Sequence, residues 1–192
     1  MSQWSSYCPK KLSLAERGLD LLEKLRQSGV GQRPVVFVGH SMGGLLAKSI
    51  LVQAEQKGYK DFVQNIKGFA FISTPHHGSS LANMNWTAKM VFFPSTEFSD
   101  LEVGSRQLTE LHERFLRHAS TRDNLQFVSF GETRATVLFG RDVIFVPQNS
   151  SRLSLGTYHE VDTNHMNICK PLSKDSLVYQ KILCFVKSIL FE

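Results

Sequence analysis

Three residue types in this chain could together do chemistry: a serine, an imidazole and a carboxylate. Ser41 sits in Gly39-His40-Ser41-Met42-Gly43, a G-x-S-x-G pentapeptide that continues as Gly44-Leu45-Leu46. A serine hydroxyl is a poor nucleophile until a neutral imidazole takes its proton, and the imidazole needs an anion to fix its tautomer and stabilise its charged form. Such a set performs acyl transfer. It needs no cofactor, and by itself it leaves ester, thioester and amide substrates open.

The pentapeptide acquires meaning from its flanks. Pro34-Val35-Val36-Phe37-Val38 reads as a short buried strand running into it, and residues 44–52 read as a helix leaving it. Strand, tight turn and helix are the context of a nucleophile elbow, with the serine exposed at a strained turn and the glycines permitting close approach. Ile66-Lys67-Gly68-Phe69-Ala70-Phe71-Ile72-Ser73 is a second strand, so a strand, helix, strand unit is complete and the sheet should be parallel.

The base and the acid must come from loops at the same sheet edge, in the order serine, acid, histidine. His165, in the Asn164-His165-Met166-Asn167 loop ahead of the terminal helix, is taken as the base; His159 is the fallback. Leu125-Gln126-Phe127-Val128-Ser129-Phe130 reads as a third strand and Val143-Ile144-Phe145-Val146, stopped by Pro147, as a fourth. Glu132 follows the third strand, on the edge where parallel sheets place their ligands, whereas Asp142 precedes the fourth and falls on the opposite edge. Glu132 therefore fits best, with Asp142 and Asp162 as alternatives. One oxyanion donor should be the backbone N–H of Met42. The second is expected from an upstream loop, and no His-Gly loop precedes Ser41; His77-Gly78 lies downstream.

The other elements frame this set. Ser13-Leu14-Ala15-Glu16 is a capping-box signal for a helix with Leu14, Gly18, Leu21, Leu22 and Leu25 at helical spacing, expected to cover one sheet face. His76 and His77 follow the second strand and read as loop-shaping residues in preference to metal ligands, because no third ligand has suitable spacing. Residues 83–118 read as lid or cap helices. In the first, Trp86, Met90 and Phe93 fall at i, i+4 and i+7 and form either an acyl-chain wall or a stripe packed on the core. The second spans residues 106–118. A terminal helix should turn Val178, Ile182, Phe185, Val186 and Ile189 inward.

Composition bounds the function classes. The 192 residues are 42% hydrophobic and 20% charged, ordinary for one globular domain spanning 1–192. The net charge of +5 is scattered, with no run longer than Lys10-Lys11, which argues against nucleic acid as a partner. Cys8, Cys169 and Cys184 support neither a disulfide framework nor a metal site. No apolar run reaches the roughly 18 residues of a membrane span, and no signal-peptide core is seen, so an intracellular protein is expected.

At these residues the chain resembles the lipase-like α/β-hydrolase family of the serine active site-containing protein. The stretches that carry the likeness are Gly29-Val30-Gly31, Arg33-Pro34-Val35-Val36, His40-Ser41-Met42-Gly43-Gly44-Leu45-Leu46, Pro75-His76-His77-Gly78-Ser79, Phe145-Val146-Pro147 and above all Val161-Asp162 with Asn164-His165 and Asn167-Ile168-Cys169-Lys170-Pro171. The resemblance implies an esterase or acyltransferase acting on a lipid ester, in phosphatidylglycerol remodelling linked to mitochondria and endoplasmic reticulum and at a membrane surface. It matches Ser41 and His165 to the family's nucleophile and base, and Glu132 to its Glu-Thr pattern. The expected fold is a partial α/β-hydrolase: about four mainly parallel strands flanked by helices, without the N-terminal strands. Relative to the family, the strand beside residues 35–38 is expected to be missing, which would leave an edge that a partner could complete, and a weakly active lipid- or protein-binding module is the alternative function.

Overall fold

The computed structural model describes residues 12–77, 105–138 and 140–191. Its centre is a four-stranded, wholly parallel sheet of β1 (Val35–His40), β2 (Ile66–Ile72), β3 (Gln126–Glu132) and β6 (Thr157–Val161), in that spatial order. A separate antiparallel hairpin joins β4 (Thr136–Leu138) to β5 (Arg141–Val143).

The helices are α1 (Leu14–Gln27), α2 (Met42–Gln56), α3 (Lys60–Asn65), α4 (Arg106–Ser120), α5 (Gln148–Ser151) and α6 (Leu177–Phe191). Alternation along β2 divides them into two layers. Phe69 and Phe71 point to the face where α2 and α4 pack, while Ala70 and Ile72 point to the face covered by α6. On the first face Phe37, Phe69 and Phe127 stand in register on three adjacent strands, with ring centroids 5.5 and 6.0 Å apart. Phe115 of α4 meets Phe69 edge-on at 5.3 Å. Burying each such ring contributes about 1.5–3 kcal/mol. The opposite face is thinner: Gly68 lets α6 approach, since a Cβ there would stand 2.5 Å from Ile189 Cδ1.

The capping box at α1 is formed, with Glu16 N–H donating to Ser13 Oγ at 3.2 Å and Ser13 N–H to Glu16 Oε2 at 2.8 Å. Two expectations for α1 need correction. Its main partner is α2 and not the sheet, and Leu21 is 36% exposed. Leu14, Gly18 and Leu22 at i, i+4 and i+8 make a narrow stripe, and Gly18 brings the two helices so close that a Cβ would lie 2.1 Å from Ser49 Oγ. Leu21 falls on the flank of that stripe. In α6 only Val178 is fully buried; Ile182, Phe185, Val186 and Ile189 are half-buried.

The fourth strand of the sheet is not the apolar run at 143–146. It is Thr157–Val161, paired with β3 through Val128↔Thr157 to Glu132↔Val161. Val143 ends the hairpin, and Phe145 and Val146 leave the ladder to fill a small core with Leu14, Leu45 and Leu108. The run is apolar because it is core filling. The true strand is half exposed and polar because it forms a sheet edge among the described residues. The helix expected over residues 106–118 is present as α4, whereas the segment with Trp86, Met90 and Phe93 lies outside the described residues.

Candidate active site

The turn between β1 and α2 is built from close approaches that exclude side chains. Ser41 adopts φ 54 and ψ −127, a left-handed φ in a residue other than glycine, a conformation that costs of order 1–3 kcal/mol unless its surroundings impose it. They do so here. Ser41 N–H donates to the Ile72 carbonyl at 2.9 Å, tying the turn to the neighbouring strand. A Cβ on Gly39 would stand 2.6 Å from Gly44 Cα, and one on Gly44 would stand 2.0 Å from Thr74 Oγ1. Gly43, the last glycine of the pentapeptide, has nothing within 4 Å of such a Cβ. The steric demand falls on Gly39 and Gly44.

The structure brings Ser41, His165 and Glu132 together at the C-terminal edge of the sheet. His165 Nε2 lies 3.1 Å from Ser41 Oγ, and His165 Nδ1 lies 3.0 Å from Glu132 Oε2. The second oxygen of Glu132 accepts from Val146 N–H at 3.0 Å. Glu132 and His165 are 1% and 4% exposed. Burial alone would raise the Glu132 pKa. The hydrogen bond and charge interaction with His165, the nearby Ser73 hydroxyl and the Val146 N–H outweigh it and hold the carboxyl below its ordinary value. Ser73 Oγ makes no hydrogen bond of good geometry, so it acts on Glu132 by proximity alone. An ionised Glu132 accepts the proton on Nδ1, which leaves the lone pair on Nε2 facing the serine hydroxyl.

Met42 opens α2, in the first turn where backbone N–H groups lack intrahelical carbonyls. A cavity of about 270 Å³ opens over this region, with His40, Ser41, Met42, Phe145, His165 and Met166 among its walls.

The alternatives stand apart from this group. Asp142 is exposed on β5 opposite Val137. Asp162 is exposed and paired with Arg134, whose Nε donates to Oδ1 at 2.6 Å and whose Nη2 donates to Oδ2; this bond holds the Asp162 carboxyl below its ordinary pKa. His159 is on β6 against Phe130, with ring centroids 5.5 Å apart.

Three contacts at the site involve residues to which no role attaches from sequence. Phe145 stacks on the His165 ring at 4.8 Å with planes 12° apart, Val146 donates to Glu132, and His40 Nε2 lies 3.0 Å from the His165 carbonyl oxygen. The signal for Phe145 and Val146 was present in their apolarity but was absorbed by a strand reading. His40 enters the sequence as the variable position of the pentapeptide and in the stretch that carries the family likeness, with no role of its own.

The loop after β2 is held by backbone: His76 N–H donates to the Ser150 carbonyl at 2.8 Å and His77 N–H to Ser150 Oγ at 3.3 Å. The His76 ring is fully buried, beside a second pair in which Lys48 Nζ lies 2.7 Å from His112 Nδ1. Burial pushes the Lys48 amine and the His76 imidazole well below their ordinary pKa values, and burial with the Lys48 charge lowers His112 to about 3. Among the described residues, no group of three or more His, Cys, Asp and Glu is arranged to hold a metal ion. No helix of the described residues is long and apolar enough to cross a membrane.

Comparison with known proteins agrees with this architecture. Protein SERAC1 of Bos taurus is 42% identical over 193 residues, and that of Homo sapiens is 41% identical over 193 residues. Each alignment covers 99% of this chain, which spans 29% of either relative. Among solved structures, the mature form of Bacillus licheniformis lipase BlEst2 superposes with a TM-score of 0.61 at 19% identity, over 92% of this chain and 73% of the lipase, a likeness of fold. The fold, a parallel sheet flanked by helices, is the α/β-hydrolase fold. The sequence pattern of the PGAP1-like alpha/beta domain matches residues 12–175, and the chain belongs to that family.

Proposed function

We propose that the chain is a serine hydrolase or acyltransferase acting on lipid esters, of the phospholipid-remodelling kind. The observation that carries this reading is the hydrogen-bonded series from Ser41 Oγ through His165 to Glu132, with distances of 3.1 and 3.0 Å. Ser41 attacks the ester carbonyl as His165 Nε2 removes its proton, and the developing imidazolium is held by ionised Glu132. The oxyanion faces the Met42 N–H at the head of α2. His165 then gives the proton to the leaving alkoxide, and water or an acceptor alcohol repeats the sequence in reverse to release the acyl group.

The lipid assignment rests on the family and on the apolar cavity walls from Met42, Phe145 and Met166. Action at a membrane surface linked to mitochondria and endoplasmic reticulum belongs to the same proposal. The test is turnover of short acyl esters and of phosphatidylglycerol vesicles by the wild type and Ser41→Ala, with circular dichroism on both. Loss of turnover with an unchanged spectrum is expected; unchanged turnover contradicts the proposal.

A second reading is favoured by the edge of β1. Val38 is 51% exposed on that edge among the described residues. On this reading the domain binds lipid or a protein partner and turns over slowly until a further strand pairs there. Full activity of the isolated monomer excludes it.

A further inference from the structure

His165 lies on a stretch of turns between β6 and α6, with no ladder or helix to hold its main chain. Its ring is fixed by Ser41, Glu132 and the stacked Phe145, but a ring is only as well placed as the backbone behind it. That backbone has a hook in the nucleophile turn itself. His40, the last residue of β1, brings Nε2 to 3.0 Å from the His165 carbonyl oxygen, and the two rings lie 4.7 Å apart. A carbonyl oxygen only accepts, so His40 Nε2 carries the proton and donates. Burial and the neighbouring His165 lower the His40 pKa to about 4, so the imidazole stays neutral beside the base.

We propose that His40 is a positioning residue for hydrolysis: its Nε2–H grips the His165 main chain and sets the distance between base and nucleophile. This rests on the serine-hydrolase reading above. His40 and Ser41 are consecutive, and the turn they share is pinned to β2 by the Ser41 N–H to Ile72 carbonyl bond and by the contact of Gly44 with Thr74. A base hooked to the residue before the nucleophile cannot drift without dragging that turn. A misplacement of about 1 Å costs on the order of a hundredfold in rate.

His40→Phe keeps a ring of similar size and removes the donor; His40→Gln keeps a donor at a similar reach. Two measurements are made on the wild type and both variants: fluorophosphonate labelling of Ser41 with kcat and KM on a short ester, and the far-downfield proton resonance of His165 Nδ1–H. In His40→Phe, labelling and kcat should fall about 10- to 100-fold with KM nearly unchanged, and the resonance should broaden. His40→Gln should restore most of the rate and sharpen the resonance. Unchanged rates in His40→Phe overturn the proposal, because then ring volume suffices, and equal losses in the two variants overturn it, because then a donor does not restore the site. If the wild type takes no label, the hydrolase reading fails separately. The resonance then decides the hook alone: its persistence in His40→Phe overturns the contact.

Discussion

Gly44 and Thr74 touch where the nucleophile helix leaves its turn: a Cβ on Gly44 would stand 2.0 Å from Thr74 Oγ1 and 2.7 Å from its methyl carbon. Thr74 is fully buried, so it cannot swing away. Gly44→Ala should therefore lower stability by about 1–3 kcal/mol through overpacking. Gly43→Ala meets open space and should be neutral or stabilising by up to about 1 kcal/mol, since Gly43 lies in α2. Urea unfolding of both variants measures the contrast.

Glu132→Gln keeps the shape of the side chain and removes its charge. By analogy with other triads, kcat/KM should fall about 10⁴-fold, because the imidazolium loses its anion and the tautomer is no longer set. Asp142→Asn and Asp162→Asn should leave it essentially unchanged, as both carboxylates are exposed, Asp162 is bound by Arg134, and His165 Nδ1 is taken by Glu132. Steady-state assays on the three variants discriminate between the acids.

The same carboxyl contributes to acid stability. Its folded pKa lies below the ordinary 4.5, so the unfolded state binds protons more readily in that window. The contribution is fully present above the unfolded value and is lost as pH falls through the folded one. Glu132→Gln should flatten the loss of stability below about pH 4.5, as followed by denaturant titrations at stepped pH.

Lys48 makes the opposite kind of statement. It is fully buried against Phe71 and Phe115, its Nζ bonded to His112. Burial lowers its folded pKa below 10.5, so the unfolded state binds the extra proton and stability rises with pH up to that value. Lys48→Met, of similar volume, removes this dependence. It should be more stable than the wild type at neutral pH, with an advantage that shrinks as pH rises toward 10.5. Melting temperatures across that range provide the check.

Phe115 ties α4 to the aromatic face of the sheet through Phe69, Phe71 and Phe127. Phe115→Ala should cost about 3–5 kcal/mol, because a rigid ladder of rings cannot collapse into the space left. Equilibrium unfolding measures it.

Much of this architecture is legible in the residues. Pro34 to Leu46 shows strand, turn and helix because each has a strong local signature, and the same is true of Ser13 and Glu16 at the head of α1. The parallel edge rule puts Glu132 on the edge where Ser41 lies, but its case against Asp142 rests on a strand at 143–146 that the sheet does not contain, since Asp142 belongs to the separate hairpin. What escapes sequence reasoning depends on tertiary contact. Thr157–Val161 is largely polar since it lies at an edge, whereas Phe145 and Val146 look like a strand because core filling and strand interiors use the same residues. Lys48 lies within the helix expected over residues 44–52 with nothing in the sequence to mark it as buried, and the packing of α2 beneath α4 covers it fully. Leu21 shares a helical period with Leu22 yet falls outside the narrow stripe that Gly18 permits.

The central claim is that Ser41 is an activated nucleophile. Its most direct test is fluorophosphonate labelling of the folded chain, with the adduct located by mass spectrometry and Ser41→Ala as control. A single covalent adduct on Ser41 is expected, formed quickly by the wild type and slowed in Glu132→Gln. A folded wild type that takes no label, or takes it equally well in Ser41→Ala, would contradict it.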